Sequence, residues 1–333
     1  MAIDGSLLRL LSHPDGSEPE VMTKSLSGES TSKARRHLAD KGVTILGENS
    51  RGHVMGRGPD TFHKSLTPDS ARRVESFYTS LERASSGSGS VPRLIGLEHL
   101  DEQVSVACFE YVDGRPGTTH DTWECLDLYA RLQTAATQHG DRAGQALIDA
   151  CLNETSTWSD ELLGAWDPVN WTDPKILHWG GTDAAGMTGV GVPALRTVAD
   201  ALSGLALDGT CSPVHADLST GNYLRAHDGR PVVFDWDEGY WGLPGMGLQI
   251  LLREAMDDGL EGLGFTDLLR HVPRLADSGL TAHGLAVRTL AGAVIEIAGV
   301  RQSLREMGRP PGRHGAYLAA WACRYEWIIS RAR

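Results

Sequence analysis

Long hydrophobic runs are missing from this chain of 333 residues. No stretch approaches eighteen consecutive apolar residues, so no membrane-spanning helix is expected. Met1–Leu11 lacks the basic start and long apolar run of a secretory signal. Cysteine is scarce and scattered: Cys108, Cys125, Cys151, Cys211 and Cys323 are odd in number and never two residues apart. That pattern argues against a disulfide framework or a zinc knuckle and suits reduced thiols in the cytoplasm. Positive charge is also short, with 31 Lys and Arg against 43 Asp and Glu, a formal net charge of -12. Such a surface repels phosphate backbones, so a nucleic acid is not an expected partner, and it weakly favours a cationic one. There is no internal repeat.

The chain is longer than one small core needs, which makes two lobes the expectation. Residues 1–42 read as a polar leader, rich in Ser, Gly and Pro over 12–32, with a short helix from Ser32 to Asp40. Strands are predicted at Val43–Leu46, His53–Met55 and Thr61–Leu66. Thr67-Pro68 then starts a helix to about Ala84, a Thr cap followed by Pro at the first helical position. Val74, Phe77, Tyr78 and Leu81 give that helix an apolar stripe. Two more strands follow, Arg93–Leu97 and Val104–Tyr111, and Asp113–Pro116 turns the chain. Beyond it the pattern is helical, at Thr122–Gln138, Gln145–Glu154, Pro193–Leu207, Met246–Asp257, Thr266–Leu275, Leu285–Met307 and Gly315–Arg331. A short β segment at 214–236 interrupts it. The reading is an α+β fold, with a β-rich lobe at 43–112, a larger helical lobe at 113–333, and a cleft at the joint.

One stretch carries chemistry. His215-Ala-Asp217-Leu-Ser-Thr-Gly-Asn222 leads into two apolar runs separated by Asp228-Gly229, a strong hairpin signal. Closing the hairpin brings Asn222, at its start, near Asp235, at its end, with Asp217 just upstream. A hard cation such as magnesium takes oxygen ligands from one or two carboxylates or an amide and from phosphates. A separate carboxylate must orient an attacking hydroxyl and accept its proton. Asn222 and Asp235 are therefore assigned to magnesium and Asp217 to the hydroxyl, with His215 a brace for the loop rather than a base.

These residues resemble the aminoglycoside phosphotransferase and choline kinase family, whose fold is protein-kinase-like. The family carries a His-Gly-Asp-Leu-His-x-x-Asn loop and a downstream Ile-Asp-(Phe/Trp) element, matched here by His215, Asp217, Leu218, Asn222, Asp235 and Trp236. The resemblance implies an ATP- or GTP-dependent kinase with Asp217 catalytic. It also implies that Lys64, ending the third strand, contacts the α- and β-phosphates, paired with Glu75 of the next helix or, as a rival, Glu82. The glycine-containing turn Gly47–Gly58 would cover the triphosphate, with Ser50 and Arg51 as side-chain contacts, though a plain hairpin reads the same. Phe109–Gly114 resembles the hinge, where the backbones of Glu110 and Val112 would meet the base. Three positions depart from the family pattern: Leu243 in place of the Asp of Gly-Asp-Pro, Gly247 in place of a bracing Asp, and Gln133 in place of a His.

Asp237, Glu238, Glu254, Asp257, Asp258 and Glu261 would suit a cationic acceptor such as an aminoglycoside, or form a solvated acidic face. Trp158, Trp166, Trp171 and Trp179 mark a substrate lid or an anchored loop. Two other functions fit the sequence: a Ser/Thr kinase of peptides in natural-product maturation, and a nucleotide-binding pseudokinase acting as a partner module.

Overall fold

β-branched and aromatic residues alternate with polar ones over much of the N-terminal third, and that alternation becomes one antiparallel sheet. The structure, a computed structural model, describes residues 26–49, 52–84, 89–136, 138–139, 210–257, 264–277 and 280–306. The chain divides into two units. One comprises residues 20–137 and 215–240, and the other 1–19, 138–214 and 241–333.

The first unit opens with helix α1 (Gly28–Asp40). It starts four residues before the expected Ser32, because the Ser27 side chain accepts the Ser30 N–H at 3.1 Å and caps it there. Five strands follow: β1 (Thr44–Glu48), β2 (Val54–Arg57), β3 (Thr61–Leu66), then, after helix α2 (Pro68–Ala84), β4 (Leu94–His99) and β5 (Ser105–Glu110). They pair in the order β1-β2-β3-β5-β4. Ala34 and Leu38 of α1 share a core with Val43, Val54, Val104 and Val106. The stripe read from the sequence, Val74, Phe77, Tyr78 and Leu81, is the buried face of α2. β3 lies between β2 and β5, which sets Lys64 opposite Met55 on one side and Ala107 on the other.

Gly114–Pro116, expected as a turn, is a strand, β6, because its backbone finds the free edge of β9 (Tyr223–Ala226). Helix α3 (Thr122–Ala135) follows a short 3-10 turn. β9 also pairs with β10 (Pro231–Val233), giving the order β10-β9-β6. The loop segment 215–240, read from the sequence as part of the helical lobe, thus packs in the same unit as the five-stranded sheet.

In the second unit, β7 (Gln138–His139) pairs with β8 (Thr210–Val214). A short strand, β11 (Tyr240–Gly242), carries the chain into this unit again, and helices α4 (Gln249–Asp257), α5 (Phe265–His271), α6 (Pro273–Asp277) and α7 (Ala282–Glu306) follow. The helix expected at 266–275 is two, split at Val272-Pro273, since proline has no N–H to continue the ladder. The helices expected at 145–154, 193–207 and 315–331, and the tryptophans of 158–179, lie outside the described residues. No helix among the described residues is long and apolar enough to cross a membrane.

Candidate functional site

The loop from His215 to Asn222 is held from three directions. The His215 N–H donates to the Tyr129 hydroxyl at 3.1 Å, and ring Nε2 donates to the Phe234 carbonyl at 2.8 Å. Ring Nδ1 accepts the Asp217 N–H at 3.1 Å, which assigns the remaining ring proton to Nε2. Burial lowers the imidazole's pKa and favours this neutral form. Asn222 extends its amide N–H group to the Asp217 carbonyl at 2.8 Å and to Asp217 Oδ2 at 3.2 Å. Its backbone carbonyl accepts the Phe234 N–H at 3.0 Å, which sets Asn222 across the hairpin from the residue before Asp235.

Asp235 is the one non-glycine residue at positive φ, 66°, among the described residues. Such a conformation persists only where the surroundings impose it. Here Trp236 is the anchor. It is buried, its indole N–H donates to the Val233 carbonyl at 3.1 Å, and its ring lies 4.7 Å from His215 and 5.8 Å from Phe77. The carboxylates on either side of it converge on Lys64, with Nζ 2.7 Å from Asp235 Oδ1 and 3.0 Å from Asp237 Oδ2. Desolvation lowers the lysine's proton affinity, but Asp237 and Asp235 outweigh it and the net shift is upward. Desolvation and the charge of Asp237 push the Asp235 carboxyl up. Asp237 is held low, against the desolvation of its own site, by the hydrogen bond with Asp235 and by Lys64.

Lys64, Tyr78, Asp235 and Asp237 line a cavity of about 240 Å3 whose remaining walls include Met55, Phe62, Phe109, Leu224 and Phe234. An apolar pocket with a few converging polar groups is the form of a small-molecule site. Glu110, Tyr111 and Val112 line it too. That segment is fixed by the Glu110 N–H, which donates to the Arg93 carbonyl at 2.8 Å, and by the Tyr111 N–H, which donates to the Asp60 carbonyl at 3.0 Å. The Arg57 guanidinium lies 4.0 Å over the Tyr111 ring.

Of the residues singled out from sequence, His215, Asp217 and Asn222 form one hydrogen-bonded loop, and Lys64, Asp235, Glu110 and Val112 line one cavity. Two expectations are corrected. Glu75 does not pair with Lys64: it points to solvent, because the apolar stripe of α2 turns the other face inward. Its rival Glu82 accepts the Leu94 N–H at 2.7 Å. Asp237, expected at the acceptor, is 6% exposed and engaged with Lys64. Glu238 is half-buried and Asp257 ends α4, while Ser50, Arg51, Asp258 and Glu261 lie outside the described residues.

Tyr129 was not singled out from sequence. Its hydroxyl takes hydrogen bonds from the His215 N–H and from Gln133 Nε2, the latter at 3.0 Å, so Gln133 reaches the loop through it. The available signal was the i, i+4 spacing of Tyr129 and Gln133 on one helix face.

No cluster of three His, Cys, Asp or Glu side chains among the described residues could hold a metal. The donor set nonetheless fits magnesium bound in the manner of nucleotide enzymes. With its nitrogen spent on Asp217, Asn222 offers its amide oxygen, Asp235 adds one carboxylate, and phosphate oxygens complete such a shell.

The sequence profile of the phosphotransferase enzyme family (APH) matches residues 60–264, more than half of the chain. A search of curated proteins finds no match. Among solved structures, the choline kinase LicA from Streptococcus pneumoniae superposes with a TM-score of 0.52 at 12% identity, over 92% of this chain and 99% of that one. A choline/ethanolamine kinase family protein from Mesorhizobium loti gives 0.52 at 16% identity, over 91% and 97%. A spectinomycin phosphotransferase, solved with ADP and spectinomycin, gives 0.55 at 10% identity, over 87% and 92%. At these identities the likeness speaks for the fold, which is the protein-kinase-like one. Together with the profile match over the loop and the lysine, it places this chain in the phosphotransferase enzyme family, as a kinase-type phosphotransferase.

Proposed function

We propose that the protein transfers the γ-phosphoryl group of ATP, with GTP as the alternative donor, to a hydroxyl of a small cationic molecule, using magnesium. The observation that carries this reading is the gathering of Lys64 and Asp235 at one cavity, with the Asp217–Asn222 loop tied to the residue before Asp235. Phosphoryl transfer asks the protein mainly for positioning and charge stabilisation, and each part has a residue here.

The base would lie among the apolar walls, against the backbone of Glu110 and Val112. Lys64 would neutralise phosphate oxygens, as a compact ammonium on a flexible stem suits that task. Asn222 and Asp235 would hold magnesium, which supplies charge neutralisation at the phosphates. Asp217 is exposed, with its backbone fixed by His215 and its side chain by Asn222. It would accept the proton of the attacking hydroxyl. The acidic net charge supports a cationic acceptor, an aminoglycoside or an amino alcohol, since it draws cations toward the protein.

The test is a phosphate-transfer screen with ATP or GTP and magnesium. Its arms are aminoglycosides, choline-like amino alcohols, and peptides containing Ser or Thr. Turnover with a small cation supports the reading, and turnover confined to peptides replaces the acceptor class. Magnesium-dependent nucleotide binding without turnover in any arm would point to a pseudokinase instead.

A further inference from the structure

A phosphate-binding lysine needs a fixed carboxylate to aim it, and in protein kinases a glutamate of the helix after the lysine strand supplies one. In this chain α2 offers none to Lys64. Its three acids are engaged elsewhere or face away: Asp69 pairs with Arg72, Glu75 is exposed, and Glu82 accepts the Leu94 N–H. The face that α2 buries is Ser70, Ala71, Val74, Phe77, Tyr78 and Leu81, without a carboxylate.

Lys64 instead meets two carboxylates from the Asp-Trp-Asp segment, and they are not equivalent. The side chain of Asp235 is 39% exposed and that of Asp237 is 8% exposed, against 9% for Lys64. Asp235 is open enough to serve a cation, and a carboxylate committed to magnesium is a poorer counterion for an ammonium. Asp237 is enclosed with the lysine. A buried ammonium that loses its partner is strongly unfavourable, so the enclosed carboxylate is the one that stays.

Building on the phosphotransfer reading, we infer that Asp237 is the positioning residue for Lys64 and does the work that a helix glutamate does in protein kinases. The lysine is thereby tied to the segment that carries the metal ligand, with Trp236 packed between the two acids as the fixed point. Orientation of α2 then has no direct hold on the lysine. This assigns Asp237 to the donor side of the site rather than to the acceptor.

The experiment compares kcat and KM for ATP, together with Tm, in Asp237→Asn, Glu75→Gln, Lys64→Met and Lys64→Met/Asp237→Asn. The expected result is a fall in kcat of about a hundredfold for Asp237→Asn, about the loss of one transition-state contact. Glu75→Gln, the acid that the geometry leaves outside the site, should keep its rate. In the Lys64→Met background, Asp237→Asn should cost no further activity, because a residue that acts only through the lysine has nothing left to position. Asp237→Glu should recover part of the rate.

The inference is overturned if Asp237→Asn keeps full kcat, if Glu75→Gln reproduces its loss, or if Asp237→Asn lowers kcat again without Lys64. Where Asp237→Asn alone folds too poorly to compare, the two Lys64→Met proteins decide by the same criterion, since the double variant buries neither charge of the pair unpartnered and Tm reports on the single one. Failure of the phosphotransfer reading looks different: Lys64→Met then leaves turnover unchanged, or the wild type shows none.

Discussion

His215 and Phe234 are joined by a hydrogen bond of 2.8 Å, from ring Nε2 to a backbone carbonyl, and it ties the loop bearing Asp217 to the residue before Asp235. The other ring nitrogen accepts the Asp217 N–H, so one neutral imidazole sets the spacing of the two halves of the site. Replacing His215 by Ala removes both bonds and a ring packed on Trp236. The expected cost is about 2–4 kcal/mol of stability, as for other buried hydrogen-bonded side chains. Turnover should fall further than nucleotide affinity does. Chemical denaturation and ADP titration of the variant measure the two effects, and a variant with unchanged turnover would remove His215 from the loop's support.

Asp217→Ala is expected to lower transfer by about a hundredfold to ten-thousandfold, the usual range for a lost general base. Nucleotide affinity should stay within a few-fold of wild type, because Asp217 is exposed and does not line the cavity. Steady-state rates beside a fluorescent-nucleotide titration check both halves. Loss of nucleotide binding together with the rate would make Asp217 a structural residue.

Asp235→Ala is expected to abolish the magnesium dependence of nucleotide binding, because one of the two protein ligands assigned to the metal is lost. The measurement is nucleotide affinity across a magnesium titration. A curve like that of the wild type would displace Asp235 from the metal.

Arg115 reaches both oxygens of Asp121 at 2.6 Å, and the Thr118 N–H and hydroxyl reach Oδ2 at 3.0 and 2.9 Å. The guanidinium hydrogen bonds first, and then those from Thr118, hold this carboxyl well below the usual range, despite desolvation. A carboxyl depressed in the fold stabilises it above the unfolded pKa of about 4 and loses that contribution as pH falls below it. Asp121→Asn should therefore cost about 1 kcal/mol at neutral pH, as loss of a cap does, with the difference from wild type shrinking progressively as the pH falls below about 4. Urea denaturation at several pH values gives the curve.

Gly117 donates its N–H to the Tyr223 carbonyl at 2.7 Å, so two backbones touch beneath the loop. A Cβ at this position would stand 2.5 Å from the Thr220 carbonyl oxygen and 2.9 Å from that of Tyr223. Gly117→Ala is expected to cost about 1–3 kcal/mol through overpacking. Because Thr220 and Tyr223 flank Asn222, magnesium affinity should weaken as well. Thermal melts and the same magnesium titration test the pair of effects.

The geometry of the loop was legible in the sequence where it depends on neighbours along the chain. His215, Asp217 and Asn222 lie on one loop, and Asp228-Gly229 returns the chain so that Asn222 meets Phe234, next to Asp235. Register in a tight hairpin follows from local turn chemistry, which is why the spacing could be read without coordinates. The strand bearing Lys64 and the helix from Pro68 to Ala84 were legible for the same reason.

Which acid meets Lys64 was decided only in three dimensions. Glu75 and Asp237 both follow the lysine in sequence, one near and one far, and nearness favours the wrong one. The apolar stripe on α2 sets the rotation of that helix and turns Glu75 to water. Burial of Trp236 fixes the segment around it and brings Asp237 to the ammonium. Sequence determined the motif, because turn and cap chemistry act over a few residues. Tertiary packing selected the lysine's partner, because that choice depends on which faces of distant elements are buried together.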